Sequence, residues 1–338
     1  MPALYISQAS HPIHKAPPVV GPRTKKVTRP KTDVPTFLIE DAQNVRVDTW
    51  DPDRHVCFQA PTTITTMKDI GLEGHGISTT AVSDTFPLFS RDAMLQMRRE
   101  MFSPEVLQNC RYSSDYIANM IRGMGPSRAS FTYDAWYSPE VLDKISQVAG
   151  IELVPAFDFE VANINISIND QNADVVTYGD HTSEVAWHYD SFPFVCVTMV
   201  SDCSGMIGGE TAIKLPNGDV RKARGPAMGT AIVMQGRLLE DVKRERIAMV
   251  TPLRPKNPLI RDETILTGVR ATSNLEELYS QYTEYRFEVL EERFRSQLKN
   301  ERRRKETCKG FDIEEIRAFI TEQKEYLESM LEQMYKVE

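Results

Sequence analysis

Apolar and polar residues alternate with period two through Val161-Ala-Asn-Ile-Asn-Ile-Ser-Ile, the signature of a strand with one face on a core. Further along, Phe194-Val-Cys-Val-Thr-Met-Val is a nearly continuous apolar run of strand length. Gly229-Thr-Ala-Ile-Val-Met and Ile247-Ala-Met-Val-Thr are two more. Asn217-Gly218, between Lys214 and Val220, has the composition of a tight hairpin turn. Short strands punctuated by turn signals predict a barrel or a double-sheet jelly roll. Upstream the period lengthens. Ser90-Arg-Asp-Ala-Met-Leu opens a helix with Ser90 as N-cap and Phe102 near its end. Ser113-Ser-Asp-Tyr-Ile-Ala-Asn-Met-Ile predicts a second, stopped by Gly123 or Gly125, and Ser138-Pro-Glu-Val-Leu predicts a third, stopped by Gly150. The first half therefore reads as helices packed on a later sheet.

From Leu275 the pattern is helical and highly charged. Leu275, Leu278, Tyr282, Tyr285, Val289 and Phe294 recur at roughly three- and four-residue steps. A polar break is expected over 300–310, where Arg302-Arg-Arg-Lys305 reads as a solvated turn rather than a nucleic-acid patch. A second helix follows through Ile313, Ile316, Phe319, Ile320, Leu327, Met330, Leu331 and Met334. These two amphipathic helices are expected to cover the core or to form a homo- or hetero-dimer contact. Residues 1–33, rich in Pro, Lys, Arg and Thr and without periodicity, read as a flexible basic leader. The expected division is this leader, a jelly-roll domain with its helical layer over 34–270, and a C-terminal helical extension over 271–338.

Composition narrows the class. The chain has 338 residues, 41% of them hydrophobic and 26% charged, which is a globular balance. Its net charge of −8 argues against a general nucleic-acid binder, which would carry a basic face. No apolar run approaches the ~20 residues of a membrane span, and the N-terminus lacks the apolar core of a secretory signal. Five scattered cysteines with no paired spacing fit reduced thiols in a cytoplasmic protein.

The chemistry concentrates in Ala186-Trp-His-Tyr-Asp-Ser-Phe-Pro-Phe. His188 and Asp190 are two apart, so an extended strand turns both to one side. An imidazole beside a carboxylate is two thirds of the facial triad that holds non-haem iron with open positions. Taken alone, the pair fits equally a His and Asp bonded to each other at a strand end. Downstream come Gly208-Gly-Glu-Thr-Ala-Ile and Gly225-Pro-Ala-Met-Gly-Thr-Ala-Ile-Val-Met-Gln-Gly. That order resembles the double-stranded β-helix of Fe(II)/2-oxoglutarate dioxygenases. More specifically, the chain resembles a family of such oxygenases found widely in filamentous fungi, often with specialised metabolism. The stretches that carry the likeness are Asp174-Val-Val-Thr-Tyr-Gly, Trp187 to Met199, Gly208-Gly-Glu-Thr-Ala, Gln235-Gly-Arg, Glu245-Arg-Ile, Arg254-Pro-Lys and Tyr279-Ser-Gln-Tyr-Thr-Glu-Tyr-Arg. The resemblance as a whole covers roughly residues 35–335 and is specific in the catalytic half.

The resemblance implies Fe(II), 2-oxoglutarate and O2 as cofactors and a small-molecule substrate that is hydroxylated, desaturated or cyclised. It also implies a third iron ligand, a histidine just after the Gly-Arg segment. Here the text reads Gly236-Arg-Leu-Leu-Glu-Asp-Val-Lys-Arg-Glu-Arg-Ile, shorter by several residues, with Asp241 where that histidine belongs. The six histidines are His11, His14, His55, His75, His181 and His188, so none lies beyond the His-x-Asp pair. Three readings stay open. Asp241 replaces the histidine; the site is lost and the chain is a pseudo-oxygenase acting as partner subunit or binding scaffold; or the gene was misread and the natural chain keeps a histidine. His181, in a loop before the strand, is a weak substitute.

The family's 2-oxoglutarate clamp is an arginine on the following strand, matched best by Arg246 and next by Arg254; each is otherwise a surface ion pair. Trp187, Tyr189, Phe192 and Phe194 flank the metal pair and either line a substrate pocket or pack the core. Asn163 and Asn165 alternate along their strand and either face the cavity or satisfy a sheet edge. Thr198 lies on the apolar strand after the metal pair, and Glu210 reads as a turn-stabilising carboxylate. No Ser-His-Asp set, phosphate loop or dinucleotide signature is present.

Overall fold

Helices dominate the first part of the chain. A computed structural model describes residues 27–30, 32–114, 117–166, 188–202, 211–214, 220–223, 227–237, 240–242 and 247–336. Helices α1 (Thr36–Gln43) and α2 (Pro52–His55) lead into strands β1 (Ile64–Thr66), β2 (Thr80–Ser83) and β3 (Phe86–Pro87). Helix α3 (Arg91–Met101) starts at Ser90, whose Oγ accepts from the Ala93 N–H at 3.3 Å. After α4 (Pro104–Asn109), strands β4 (Arg111–Tyr112) and β5 (Asn119–Ile121) form an antiparallel pair. Helices α5 (Ser130–Tyr137) and α6 (Pro139–Ala149) complete the layer, and α6 ends at Gly150 in the left-handed region at φ +69°. Ser138 does not cap α6 with its side chain; its Oγ donates instead to Glu140 Oε2 at 2.6 Å.

The expected helix after Ser113 is replaced by the β4–β5 pair. Ser114 explains the turn: its N–H donates to the Ile117 carbonyl at 2.9 Å and its Oγ accepts the Ile117 N–H at 3.0 Å. Tertiary pairing then claims Asn119-Met-Ile, which lies antiparallel to the strand at Asn163–Ile166. Burial in a sheet thus outweighs local helical spacing.

The second half is a sequence of strands: β6 (Leu153–Pro155), β7 (Asn163–Ile166), β8 (His188–Tyr189), β9 (Phe194–Met199), β10 (Thr211–Lys214), β11 (Val220–Ala223), β12 (Thr230–Met234), β13 (Glu240–Val242) and β14 (Ile247–Pro255). Among the described residues they form a large antiparallel sheet of ten strands, with the path β1-β2-β12-β9-β14-β7-β5-β4, and a small one ordered β11-β10-β13-β8. From β7 onward the chain alternates between them: β7 large, β8 small, β9 large, β10 and β11 small, β12 large, β13 small, β14 large. Lys214 pairs with Val220, one residue away from the register of a two-residue Asn217-Gly218 turn, and the turn itself lies outside the described residues.

The near-continuous apolar runs follow from burial on both faces. Phe194 and Cys196 of β9, Ala231 and Val233 of β12, and Met249 and Leu253 of β14 join the core shared with α3, α5 and α6. Their alternates, Val195, Val197, Met199, Ile232, Met234, Ala248 and Val250, form a second cluster on the opposite face. Asn163 and Asn165 pair with Val250 and Ala248 and so share that second face.

Helix α7 (Leu275–Glu306) ends inside the expected polar break, which falls at 307–312, so Arg302-Arg-Arg-Lys305 is the last helical turn rather than a solvated loop. Cations suit a helix C-terminus, and Arg304 also reaches Asp312 at 3.4 Å and Glu315 at 2.9 Å. Helix α8 (Ile313–Gln333) folds back, and Tyr282, Tyr285, Tyr326 and Met330 pack with Phe157 and Phe192. Phe287, Phe294, Ile313, Ile320, Leu327 and Leu331 stay exposed. The end of the basic leader is docked rather than loose. Thr28 N–H donates to the Ala271 carbonyl at 3.0 Å, and Arg29 lies 4.4 Å over the Tyr112 ring. No helix among the described residues is long and apolar enough to cross a membrane.

A buried ion pair closes the base of the sheet. Arg122 Nη2 donates to Glu160 Oε1 at 2.6 Å and Oε2 at 2.8 Å, and Asn163 Nδ2 donates to the same Oε2 at 2.7 Å. Glu160→Ala strands the arginine charge and is expected to cost about 3–5 kcal/mol in urea unfolding. Arg122→Met with Glu160→Leu should recover most of that loss.

Candidate metal centre

The geometry of this region begins with register. Strand β8 lies antiparallel to β13, with Tyr189 opposite Glu240 and His188 opposite Asp241. Directly opposed positions of an antiparallel ladder lie on one face. Asp190 follows β8 at once, two residues from His188. The structure therefore brings the three sequence-predicted ligand positions to one end of the small sheet. The side chains of His188 and Asp241 lie outside the described residues. Among the described residues, no group of three or more His, Cys, Asp or Glu side chains is arranged for a metal ion.

Asp190 is fixed by the large sheet. Its N–H donates to the Gly236 carbonyl at 2.8 Å. A Cβ on Gly236 would lie 2.5 Å from Asp190 Cβ and 2.8 Å from its Oδ2, far inside contact distance. Only glycine lets the backbone approach that closely. Gln235 anchors the same turn: its N–H bonds to the Ala81 carbonyl at 2.9 Å, its Nε2 donates to the Ser78 carbonyl at 3.1 Å and to the Thr80 carbonyl, and its Oε1 accepts the Ile77 N–H at 3.2 Å. On the other side, the Ser191 carbonyl accepts the Ile265 N–H at 2.9 Å and its Oγ accepts the Gly268 N–H at 3.1 Å. Gln235, Gly236 and Ser191 received no role from sequence alone, although Gln235-Gly-Arg was among the stretches that carried the resemblance.

Arg237 comes next and is only 7% exposed. Burial pulls its guanidinium below the usual arginine range; the nearby Glu263 and Asp190 carboxylates oppose that, and Arg261 adds to it. The other candidates are dispersed. Tyr189 is half-buried beside the pair. Phe192 is buried 5.9 Å from Phe157, packing toward α7. Asn163 belongs to the Arg122–Glu160 cluster, and Asn165 is half-buried on the same strand face. Thr198 is fully buried, 3.9 Å from Cys196 Sγ. Arg254 donates through Nε to the Ala156 carbonyl at 3.1 Å and stacks over Tyr285 at 5.0 Å. Trp187, Arg246, His181 and Glu210 lie outside the described residues. His55 is far in sequence and structural in character: it is fully buried, accepts the Asp51 N–H on Nδ1 at 3.0 Å and stacks on Trp50 at 5.4 Å.

The donor set suits a divalent iron or manganese ion in type. One imidazole and two carboxylates are acceptable ligands for either, with open positions remaining. The glycine cradle behind Asp190 is the kind of outer support that metal-ligating carboxylates require.

No family model matches the chain, and no curated protein matches it. Among solved structures it is similar to a prolyl-4-hydroxylase from Pseudomonas putida, at 15% identity over 49% of this chain and 88% of that one, with a TM-score of 0.30. It is also similar to a candidate oxygenase from Shewanella oneidensis, at 14% identity over 59% of each chain, with a TM-score of 0.20. Likenesses at these scores leave the chemistry to be argued from this chain's own residues.

Gly236→Ala tests the cradle. It should weaken Mn(II) binding about 10–100-fold, the usual effect of losing a ligand's support. Gly310→Ala, where an added Cβ meets nothing within 4 Å and the backbone is not left-handed, should leave binding unchanged. Calorimetric titration of both variants checks this.

Proposed function

We propose that this chain is a double-stranded β-helix of the Fe(II)/2-oxoglutarate oxygenase type, acting on a small molecule in specialised metabolism. The alternation of β7 to β14 between two sheets supports the fold. The observation that carries the function is the register that sets Asp241 opposite His188, with Asp190 two residues on. His188, Asp190 and Asp241 would hold the metal, with Asp241 in the place of the distal histidine. When bound, the metal and cosubstrate supply oxidation of a C–H bond by O2, coupled to conversion of 2-oxoglutarate to succinate and CO2.

The chain's own groups do the rest. Gly236 and Ser191 hold the Asp190 turn, so the carboxylate is pre-positioned rather than ordered on binding. Arg246 is the proposed clamp for the 2-oxoglutarate carboxylate, because Arg254 is committed to Ala156 and Tyr285. The apolar face with Val195, Val197, Ile232 and Ala248 is the proposed dry wall, and Asn163, Asn165 and Tyr189 are its polar margin. A second reading, a pseudo-oxygenase serving as a partner or scaffold, is favoured by one fact: no histidine lies beyond His188.

Purified protein should bind close to one Fe(II) and form succinate from 2-oxoglutarate. His188→Ala should abolish both, and Asp241→His should bind Fe(II) at least as tightly as the parent. Iron binding no better than in His188→Ala would sink the oxygenase reading and leave the scaffold.

A further inference from the structure

Arg237 carries buried donors that the described protein does not meet. Six arginines are buried: Arg98, Arg122, Arg237, Arg270, Arg286 and Arg293. Five of them donate to a protein acceptor. Arg98 uses the Val200 carbonyl, Arg122 uses Glu160, Arg270 uses Gln333 and Tyr335, Arg286 uses the Tyr326 carbonyl, and Arg293 uses the Pro258 and Ile260 carbonyls. Arg286 also leaves its Nε and Nη1 without a hydrogen bond, but it keeps the Tyr326 carbonyl and lies 3.9 Å from Asp262. Arg237 is the exception: its Nε and Nη1 are buried without a partner, and it makes no side-chain hydrogen bond among the described residues. Leaving such donors unmet is costly, more so when they are charged.

Its position says what would meet them. Arg237 follows Gly236, whose backbone lies against Asp190. Glu263, the other nearby carboxylate, is engaged by Arg261 at 3.0 Å. Asp190, on the oxygenase reading, gives its charge to a metal. We infer that Arg237 seats a carboxylate group of the ligand that binds beside Asp190. A guanidinium fork matches a planar carboxylate. A doubly charged phosphate would face both Asp190 and Glu263 across one cation and is disfavoured. The inference rests on the oxygenase reading only for the metal on Asp190. The carboxylate comes from 2-oxoglutarate or from the substrate, and the two are separable by experiment.

The test uses the full chain with Mn(II) and the variants Arg237→Met and Arg237→Lys. Without ligand, Arg237→Met should melt at or above the parent, since it fills similar volume without a buried charge; Arg237→Lys stands in if it does not fold. Calorimetry then measures 2-oxoglutarate binding. A thermal-shift panel of small carboxylic acids and their neutral amides is run on protein saturated with 2-oxoglutarate. Loss of about tenfold or more in 2-oxoglutarate affinity in both variants assigns the carboxylate to the cosubstrate. Parent-like 2-oxoglutarate affinity, with loss of stabilisation by acids but not amides, assigns it to the substrate. Parent-like behaviour of both variants in both assays, or no carboxylate binding by the parent, overturns the inference. Arg237-dependent carboxylate binding that ignores Mn(II) and yields no succinate would uphold it while sinking the oxygenase reading. Succinate formation with unaltered variant affinities would do the reverse.

Discussion

The backbone hydrogen bond from Asp190 to Gly236 joins the two sheets where the candidate chemistry sits. Gly236 continues from β12 of the large sheet, and Asp190 continues from β8 of the small one. The contact is so close that no side chain fits between them. Everything nearby is arranged to preserve it. Gln235 is tied to the strand at Thr80–Ser83, and β13 carries Asp241 to a position opposite His188. The placement of the Asp190 turn is therefore a consequence of sheet geometry more than of local side-chain contacts.

Support arrives from outside as well. Ser191 is bonded by the segment at Ile265 and Gly268. That segment is in turn held by helices α7 and α8. Arg293 grips the Pro258 and Ile260 carbonyls, and Arg270 grips Gln333. Phe157 and Phe192 add an apolar bridge to Tyr285. The charged helices thus sit behind the candidate centre, with a second apolar row facing outward.

Much of this was legible in the residues. Period two in 161–168, the apolar runs at Phe194 and Ile247, and the Asn-Gly turn point to strands that the structure contains, because burial on one or both faces writes directly into the pattern. The helix expected after Ser113 failed because a hydroxyl turn and pairing with β7 outcompete local spacing. The break expected before α8 is present but begins at 307 rather than 300, because charge density does not by itself end a helix. His188 and Asp190 were visible as a spacing, and the resemblance supplied Asp241. The roles of Gly236 and Arg237 were not visible, since close backbone approach and unmet buried donors are properties of three-dimensional neighbours.

The arginine anchors also impose an order on assembly. Asp190 and Gly236 are synthesised well before Arg270 can find Gln333 and Tyr335, some sixty residues later. Until then the segment that bonds Ser191 has no fixed footing. A nascent chain would hold the Asp190–Gly236 contact while lacking its brace, so the turn gains its full support only once α8 has been made and docked.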